Sequence, residues 1–284
     1  MVDGAGEAGG EEEGEGDPNA HSIKCRQVGL AWTGGKGKTS SAGADDSTGV
    51  YLWGASVLLS RWLVQKRSLL KGKRVCELGA GCGLPSLTAW IHTEADLVIA
   101  TDLFQPTLEN LAFNVALNRA PGVIATDLFQ PTLENLAFNV ALNRAVRGRK
   151  HMEVQGLDWA DQGTWPKEQV DVCLGSDLIY DREQVPLLVS VIDALLQPSG
   201  LFLYACPPLR DGLPLLLETL EAKGYTCTSF PAPAEWYRNP LDASVATRDA
   251  DYAIHLPELK EQFEGSSDDP NGPINLYTIQ KADA

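Results

Sequence analysis

Between residues 50 and 206, short continuously apolar runs alternate with amphipathic stretches, and no other feature narrows the fold so far. RVCEL (74–78), DLVIATD (96–102), MEVQGLDW (152–159), VDVCLGSD (170–177) and GLFLYAC (200–206) read as strands, and TCTSF and NLYTIQK read as two closing strands. A strand that is apolar along its whole length is covered on both faces, which is the condition of a parallel sheet. Helices fill the intervals. TGVYLWGASVLLSRWLVQK puts Leu52, Ala55, Leu58, Leu59 and Trp62 on one face. Others are expected from about Pro85 to Ile91, in PTLENLAFNVALNR, in REQVPLLVSVIDALLQ as far as Pro198 and Gly200, and in DGLPLLLETLEAKG as far as Gly224. The expected fold is therefore α/β: a doubly wound, mostly parallel, seven-stranded sheet.

One unit of that pattern is present twice. VIATDLFQPTLENLAFNVALNRA occupies residues 98–120 and returns letter for letter at 123–145, an offset of 25. Two identical copies differ from the diverged repeats of a solenoid or propeller. They read as a recent in-frame duplication or an error in the gene model. Within the unit, Pro106 suits a first helical turn, Leu108, Leu111, Ala112 and Val115 form an apolar stripe, and Asn110, Asn114 and Asn118 fall on a polar one.

Composition excludes several classes of function. Seven acidic and no basic residues stand among the first 20, so this Gly/Glu-rich tail is expected to be disordered, ahead of one domain over residues 21–284. The tail has neither a basic n-region nor an apolar h-region, unlike a signal peptide. The chain carries a formal charge of −15, and what remains beyond the tail is still acidic. That argues against a nucleic-acid partner and is compatible with a cationic, lysine-bearing protein. No apolar run approaches the roughly 18–20 residues of a membrane helix. Cys25, Cys76, Cys82, Cys173, Cys206 and Cys227 form no metal spacing, and His21, His92, His151 and His255 form no HExxH pattern. Reduced, mostly buried thiols fit a cytosolic or nuclear protein without a bound metal.

ELGAGCGLP (77–85) follows the first strand and opens a helix. Read as the dinucleotide fingerprint G-x-G-x-x-G, it supplies Gly79 and Gly81. Leu84, however, stands where a third Gly or Ala would pack helix against strand beneath a pyrophosphate. What remains is E-x-G-x-G-x-G, with Glu77 two places before the first glycine. This resembles motif I of the class I, seven-β-strand methyltransferases that use S-adenosylmethionine (AdoMet). The resemblance implies a Rossmann-like sheet and a cofactor whose methionine and ribose portions pass close to glycine backbone. An ordinary tight βα turn is the alternative.

In such a fold the second strand ends in a carboxylate that accepts both ribose hydroxyls. It lies about 20 residues beyond the glycine loop, because one helix and one strand intervene. Asp102 follows Gly81 by 21 residues, and its twin Asp127 follows by 46. The first copy is expected in the slot, with the ribose on Asp102. The converse, Asp127 in the slot and the first copy extruded, stays open because its downstream junction is equally native-looking. Two fates are expected for the second copy. Insertion into the sheet would move Asp158 and Trp159 one strand-width, about 5 Å, from the cofactor. Extrusion would leave Leu133, Leu136 and Val140 without a groove and favour self-association.

TGVYLWGASVLLSRWL, TDLFQPTLENLAFNVALN, GLDW and LGSDLIY taken together are similar to the protein-lysine methyltransferases of this class, over roughly residues 50–206. The resemblance implies that Trp53 closes over AdoMet, and that Gly79, Ala80 and Gly81, with Glu77 behind them, line its methionine and ribose side. It implies Asp158 at the adenine amine, Trp159 as a flat wall, and Ser176 completing the pocket. Trp53 as plain core, Trp159 as strand-end packing and Glu77 as an orienting group for the loop are the rival readings. Asp177-Leu-Ile-Tyr180 matches the D-x-x-Y signature of the family. Amino-group methyltransferases of nucleic acids usually carry N-P-P-Y there, and the double-glutamate loop of arginine methyltransferases is not evident. The implied chemistry is in-line displacement at the sulfonium carbon by a neutral lysine amine. Asp177 would attract the ammonium and Tyr180 would wall or orient the amine, with bulk water able to take the proton. The rival functions are methylation of a small molecule or another side chain, and an inactive AdoMet-fold scaffold. Between the two closing strands, PAPAEWYRNPLDASVATRDADYAIHLPELKEQFEGSSDDPNGPI reads either as a substrate-facing element or as a surface loop.

Overall fold

The computed structural model describes residues 23, 25, 49, 52–118, 123–125, 151–237 and 273–283. Helix α1 (Gly54–Gln65) precedes β1 (Arg74–Leu78), α2 (Leu84–His92), β2 (Leu97–Asp102), α3 (Gln105–Leu117) and β3 (Val123–Ala125). Then come β4 (His151–Gly156), β5 (Val170–Ser176), α4 (Val185–Leu195), β6 (Leu196–Cys206), α5 (Gly212–Ala222), β7 (Thr226–Pro231) and β8 (Asn275–Gln280). All strands join one sheet in the order β3-β4-β2-β1-β5-β6-β8-β7. Pairing is parallel from β3 to β6, and β8 runs antiparallel to both β6 and β7.

Successive strand residues enter opposite sides of the core. Val75, Val98, Val172 and Leu203 join α1, α2 and α3 in one apolar cluster, whereas Cys76, Ile99, Cys173 and Phe202 join α4 and α5 in the other. Side chains alternate across a strand, so a sheet covered on both faces requires apolar residues at every position. This is the physical reason for the continuous apolar runs.

The described strands number eight, one more than expected. The additional one is β3, the first three letters of the second copy. It neither separates β2 from β4 nor displaces them. β2 pairs with β4 directly, Asp102 lies opposite Gly156, and the Leu157 N–H donates to the Asp102 carbonyl at 2.8 Å. Asp158 and Trp159 therefore keep their place beside the second strand. Strand β3 adds instead to the outer edge of β4, whose backbone groups are otherwise open to pairing. Residues 126–145 lie outside the described residues, with Asp127 and the Leu133, Leu136 and Val140 face, as does the tail 1–20.

Strand β6 starts at Leu196 rather than Gly200. Val170 pairs with Leu196 but Val172 with Leu201, so a bulge absorbs Pro198, and Ser199 takes a φ of 61°. No helix among the described residues is long and apolar enough to cross a membrane.

Candidate functional site

Parallel strands deliver their carboxyl ends to one edge of the sheet, and four adjacent strands place the expected residues there. Asp158 follows β4, Asp102 ends β2, the glycine loop follows β1, and Ser176 ends β5. Gly79, Gly81 and Gly83 take φ of 56°, 55° and 79°, a left-handed region that glycine enters without strain. A Cβ on Gly83 would lie 2.2 Å from Leu111 Cδ1, and one on Gly79 would lie 2.8 Å from Leu178 Cδ2. The loop is thus wedged between α3 and the segment after β5.

Asp102 binds this loop directly. Its Oδ2 accepts from the Gly81 N–H at 3.0 Å, and its Oδ1 accepts from the Leu103 and Phe104 N–H groups at the approach to α3. The neighbouring Thr101 carbonyl accepts from the Ala80 N–H at 2.8 Å.

The asparagine stripe of α3 faces inward. Asn110 and Asn114 are buried. Asn114 Nδ2 donates to the Cys82 carbonyl at 2.9 Å, and Asn110 Nδ2 lies 3.6 Å from Cys82 Sγ. A polar stripe at helical spacing ordinarily faces water; here the Cys82 carbonyl and thiol of the glycine loop take its place. The spacing of the three amides was the available signal.

Glu77 is fully buried. Its Oε2 accepts from the Ser86 N–H at 2.9 Å and the Ser86 hydroxyl at 2.5 Å, within the first turn of α2. Burial pushes its carboxyl up to about 8, against the opposing hydrogen bonds from Ser86. Its reach is to the helix behind the glycine loop.

Trp53 is 43% exposed at the N-cap of α1, so it is not plain core. Trp159 is half-buried against the apolar cluster that holds α4 and α5. Asp158 Oδ1 accepts from the Ala160 N–H, and the Asp158 carbonyl accepts from the Trp165 indole at 2.8 Å. Tyr180 is 69% exposed. Asp177 has a φ of 50°, and its carboxylate is gripped by Arg210: Nε to Oδ1 at 2.8 Å and Nη2 to Oδ2 at 2.5 Å. The guanidinium balances the charge that an ammonium was expected to meet. Arg210 lies 33 residues from Asp177, in the loop after β6, and nothing in its own neighbourhood of the sequence marks it.

Both ends of the long insertion are anchored. Trp236 and Tyr237 pack on the core, the Trp236 carbonyl accepts from Arg61 Nη1, and the Tyr237 hydroxyl accepts from the Ile274 N–H at 2.7 Å. Residues 238–272, which carry the substrate-facing expectation, lie outside the described residues.

The donor set fits a nucleoside. An acceptor carboxylate at Asp102 suits vicinal hydroxyls, a second at Asp158 suits an exocyclic amine, and Trp159 offers a flat neighbour. No three His, Cys, Asp or Glu residues are grouped to hold a metal among the described residues.

A model of the lysine methyltransferase family matches residues 39–123 and again 119–212, once on each side of the junction between the copies. The chain is similar to the protein N-lysine methyltransferase METTL21A of Danio rerio, with 30% identity over 55% of this chain and 59% of that protein. It is similar to the protein-lysine N-methyltransferase EFM3 of Chaetomium thermophilum, with 27% identity over 67% and 53%. With the protein-lysine N-methyltransferase EEF2KMT of Bos taurus it shares 30% identity over 52% and 42%. The chain thus spans about half the length of the curated relatives it matches.

Proposed function

Because the chain belongs to the lysine methyltransferase family, we propose that it methylates lysine side chains of a protein substrate with AdoMet as donor. The observation that carries this reading is the bond from the Gly81 N–H to Asp102 Oδ2 at the mouth of β1 and β2. It draws the acid and the glycine loop together at the point where a class I enzyme holds its nucleoside. In this reading Gly79, Ala80 and Gly81 line the methionine and ribose side, and Asp102 accepts the ribose hydroxyls. Asp158 and Trp159 take the adenine, Trp53 closes over it and Ser176 completes the pocket. Glu77 keeps α2 and the loop in register from behind. When bound, AdoMet supplies an electrophilic methyl group on a sulfonium.

Asp177 and Tyr180 form the acceptor side. The exposed Tyr180 walls and orients the amine, and the Asp177 carboxylate has lone pairs beyond the two that Arg210 engages. The acidic surface left on the chain favours a basic segment of a partner protein. All six cysteines are unpaired, which suits a reducing compartment such as cytosol or nucleus.

Two measurements on the full chain test this. Titration calorimetry with AdoMet is expected to show saturable binding; no heat at any concentration would point to a scaffold. Tritiated-methyl AdoMet added with cell lysate is expected to label protein bands whose hydrolysate contains methyl-lysine. Label confined to small molecules would overturn the protein-lysine assignment.

A further inference from the structure

Two loops meet beside Tyr180: residues 177–184 after β5, and residues 207–211 after β6. Three contacts join them. The first is the bidentate Arg210–Asp177 pair, whose side chains are only 30% and 13% exposed. The second is steric. A Cβ on Gly212 would lie 2.1 Å from Ile179 Cγ2 and 3.1 Å from Val185 Cγ2, so the start of α5 presses on the loop that carries Tyr180. The third is the exposed Arg182–Asp211 pair at 3.8 Å, which contributes little. The same loop reaches the cofactor side through Leu178, which sits over Gly79 and Gly175.

Asp177 holds a left-handed backbone conformation that non-glycine residues seldom take, and surrounding structure must hold it there. The Asp177 N–H donates to the Ala205 carbonyl at 2.8 Å, and Arg210 fixes the carboxylate. A planar guanidinium fork matches a carboxylate at two points and so sets its orientation as well as its place.

Resting on the methyltransferase reading above, we propose that Arg210 is a positioning residue with two effects on the acceptor side. It holds the Asp177–Tyr180 loop against the glycine loop, and it cancels a charge that would otherwise keep the incoming lysine protonated. A bare carboxylate within about 4–6 Å of an amine stabilises its ammonium form. That form has no lone pair with which to attack the methyl carbon and release the thioether. A carboxylate neutralised by Arg210 still accepts an N–H and orients the amine without trapping it as a cation. Among the described residues, the other titratable groups packed against the pair are Tyr204 and Cys206 on β6. Burial pushes both up, Cys206 to about 12, so both stay neutral in the working range. Arg182 and Asp211, on the same two loops, pair with each other. The balance at this point of the site is set by Asp177 and Arg210.

The test compares wild type, Arg210→Gln and Arg210→Lys as full chains. Amide hydrogen exchange is expected to accelerate about tenfold over residues 177–182 in both variants, as the loss of a fork worth a charge-assisted bond predicts. AdoMet affinity should stay within about threefold. Label transfer to lysate protein is then followed from about pH 6.5 to pH 9.5. The rising limb should move up by about one pH unit in Arg210→Gln, and stay in place in Arg210→Lys, which keeps the charge without the fork. Unchanged exchange in both variants would overturn the positioning effect. A limb that does not move in Arg210→Gln, or moves equally in both variants, would overturn the charge effect. If wild type binds AdoMet but labels no protein, the functional reading fails, while the exchange result still decides the positioning effect. Should Arg210→Gln not fold, Arg210→Lys decides that effect by its exchange alone, and retention of wild-type exchange would sink it.

Discussion

Val98, Ile99 and Ala100 of the first copy are flanked by β1 on one side and β4 on the other. Val123, Ile124 and Ala125 of the second copy pair only with β4 among the described residues, in the same register, against Met152, Glu153 and Val154. The same letters thus become a central strand in one place and an edge strand in the other. In the first copy Asp102 reaches Gly81 and Asn114 reaches Cys82, contacts open to it because β2 lies beside the strand that leads into the glycine loop. Identity of sequence therefore does not confer identity of place; the strands that a segment pairs with do.

The largest effect that distinguishes the copies should come from their acids. Asp102→Ala is expected to weaken AdoMet binding by about 100-fold, the loss of charge-assisted bonds to two hydroxyls, whereas Asp127→Ala should stay within about twofold. Calorimetry on both variants checks this. Retained affinity in Asp102→Ala, lost only when Asp127 is also replaced, would show that the copies interchange. Next comes Asn114→Ala, which leaves the Cys82 carbonyl without this donor and should destabilise by about 1–3 kcal/mol in urea unfolding. Asn139→Ala, its counterpart, should fall within about 0.5 kcal/mol of the parent.

A smaller difference lies in the response to pH. The unfolded chain releases the Glu77 proton near its ordinary 4.5, and the native chain holds it to about 8. The native state binds more protons between those values, so this group makes stability fall as pH rises across that window. The Asp102 charge is among the causes that hold the proton on. Denaturation midpoints from about pH 5 to pH 9 should therefore fall less steeply in Asp102→Ala, and as in the parent in Asp127→Ala. The smallest effect is expected from removing the second copy. Deletion of residues 121–145 should leave AdoMet affinity within about twofold, because β2 and β4 already pair without it. Loss of folding would show that the second copy is built into the core.

Much of this molecule was legible in the sequence because it is local. RVCEL is β1 residue for residue, and the 21 residues from Gly81 to Asp102 are the length that one helix and one strand occupy. What escaped depends on which parts of the chain meet. Asn110 and Asn114 read only as a polar stripe because sequence does not show the loop laid against them. The grip of Arg210 on Asp177 needs two loops to converge from different strands, a geometry that no spacing encodes. Strand β3 escaped for another reason: nothing in three letters that also spell part of β2 says that they will settle on the far side of β4. The start of β6 was misjudged because Pro198 and Gly200 normally stop an element, and here a bulge carries them inside one.

The placing of β3 also changes what the sheet shows to other molecules. Without it, the amides and carbonyls of Met152 and Val154, which face away from β2, would form an open rim available to any passing chain. With it, that rim is sealed, and the outermost strip on this flank is three residues long, a poor template for a foreign strand. Through its first few letters the second copy turns a vulnerable border into interior.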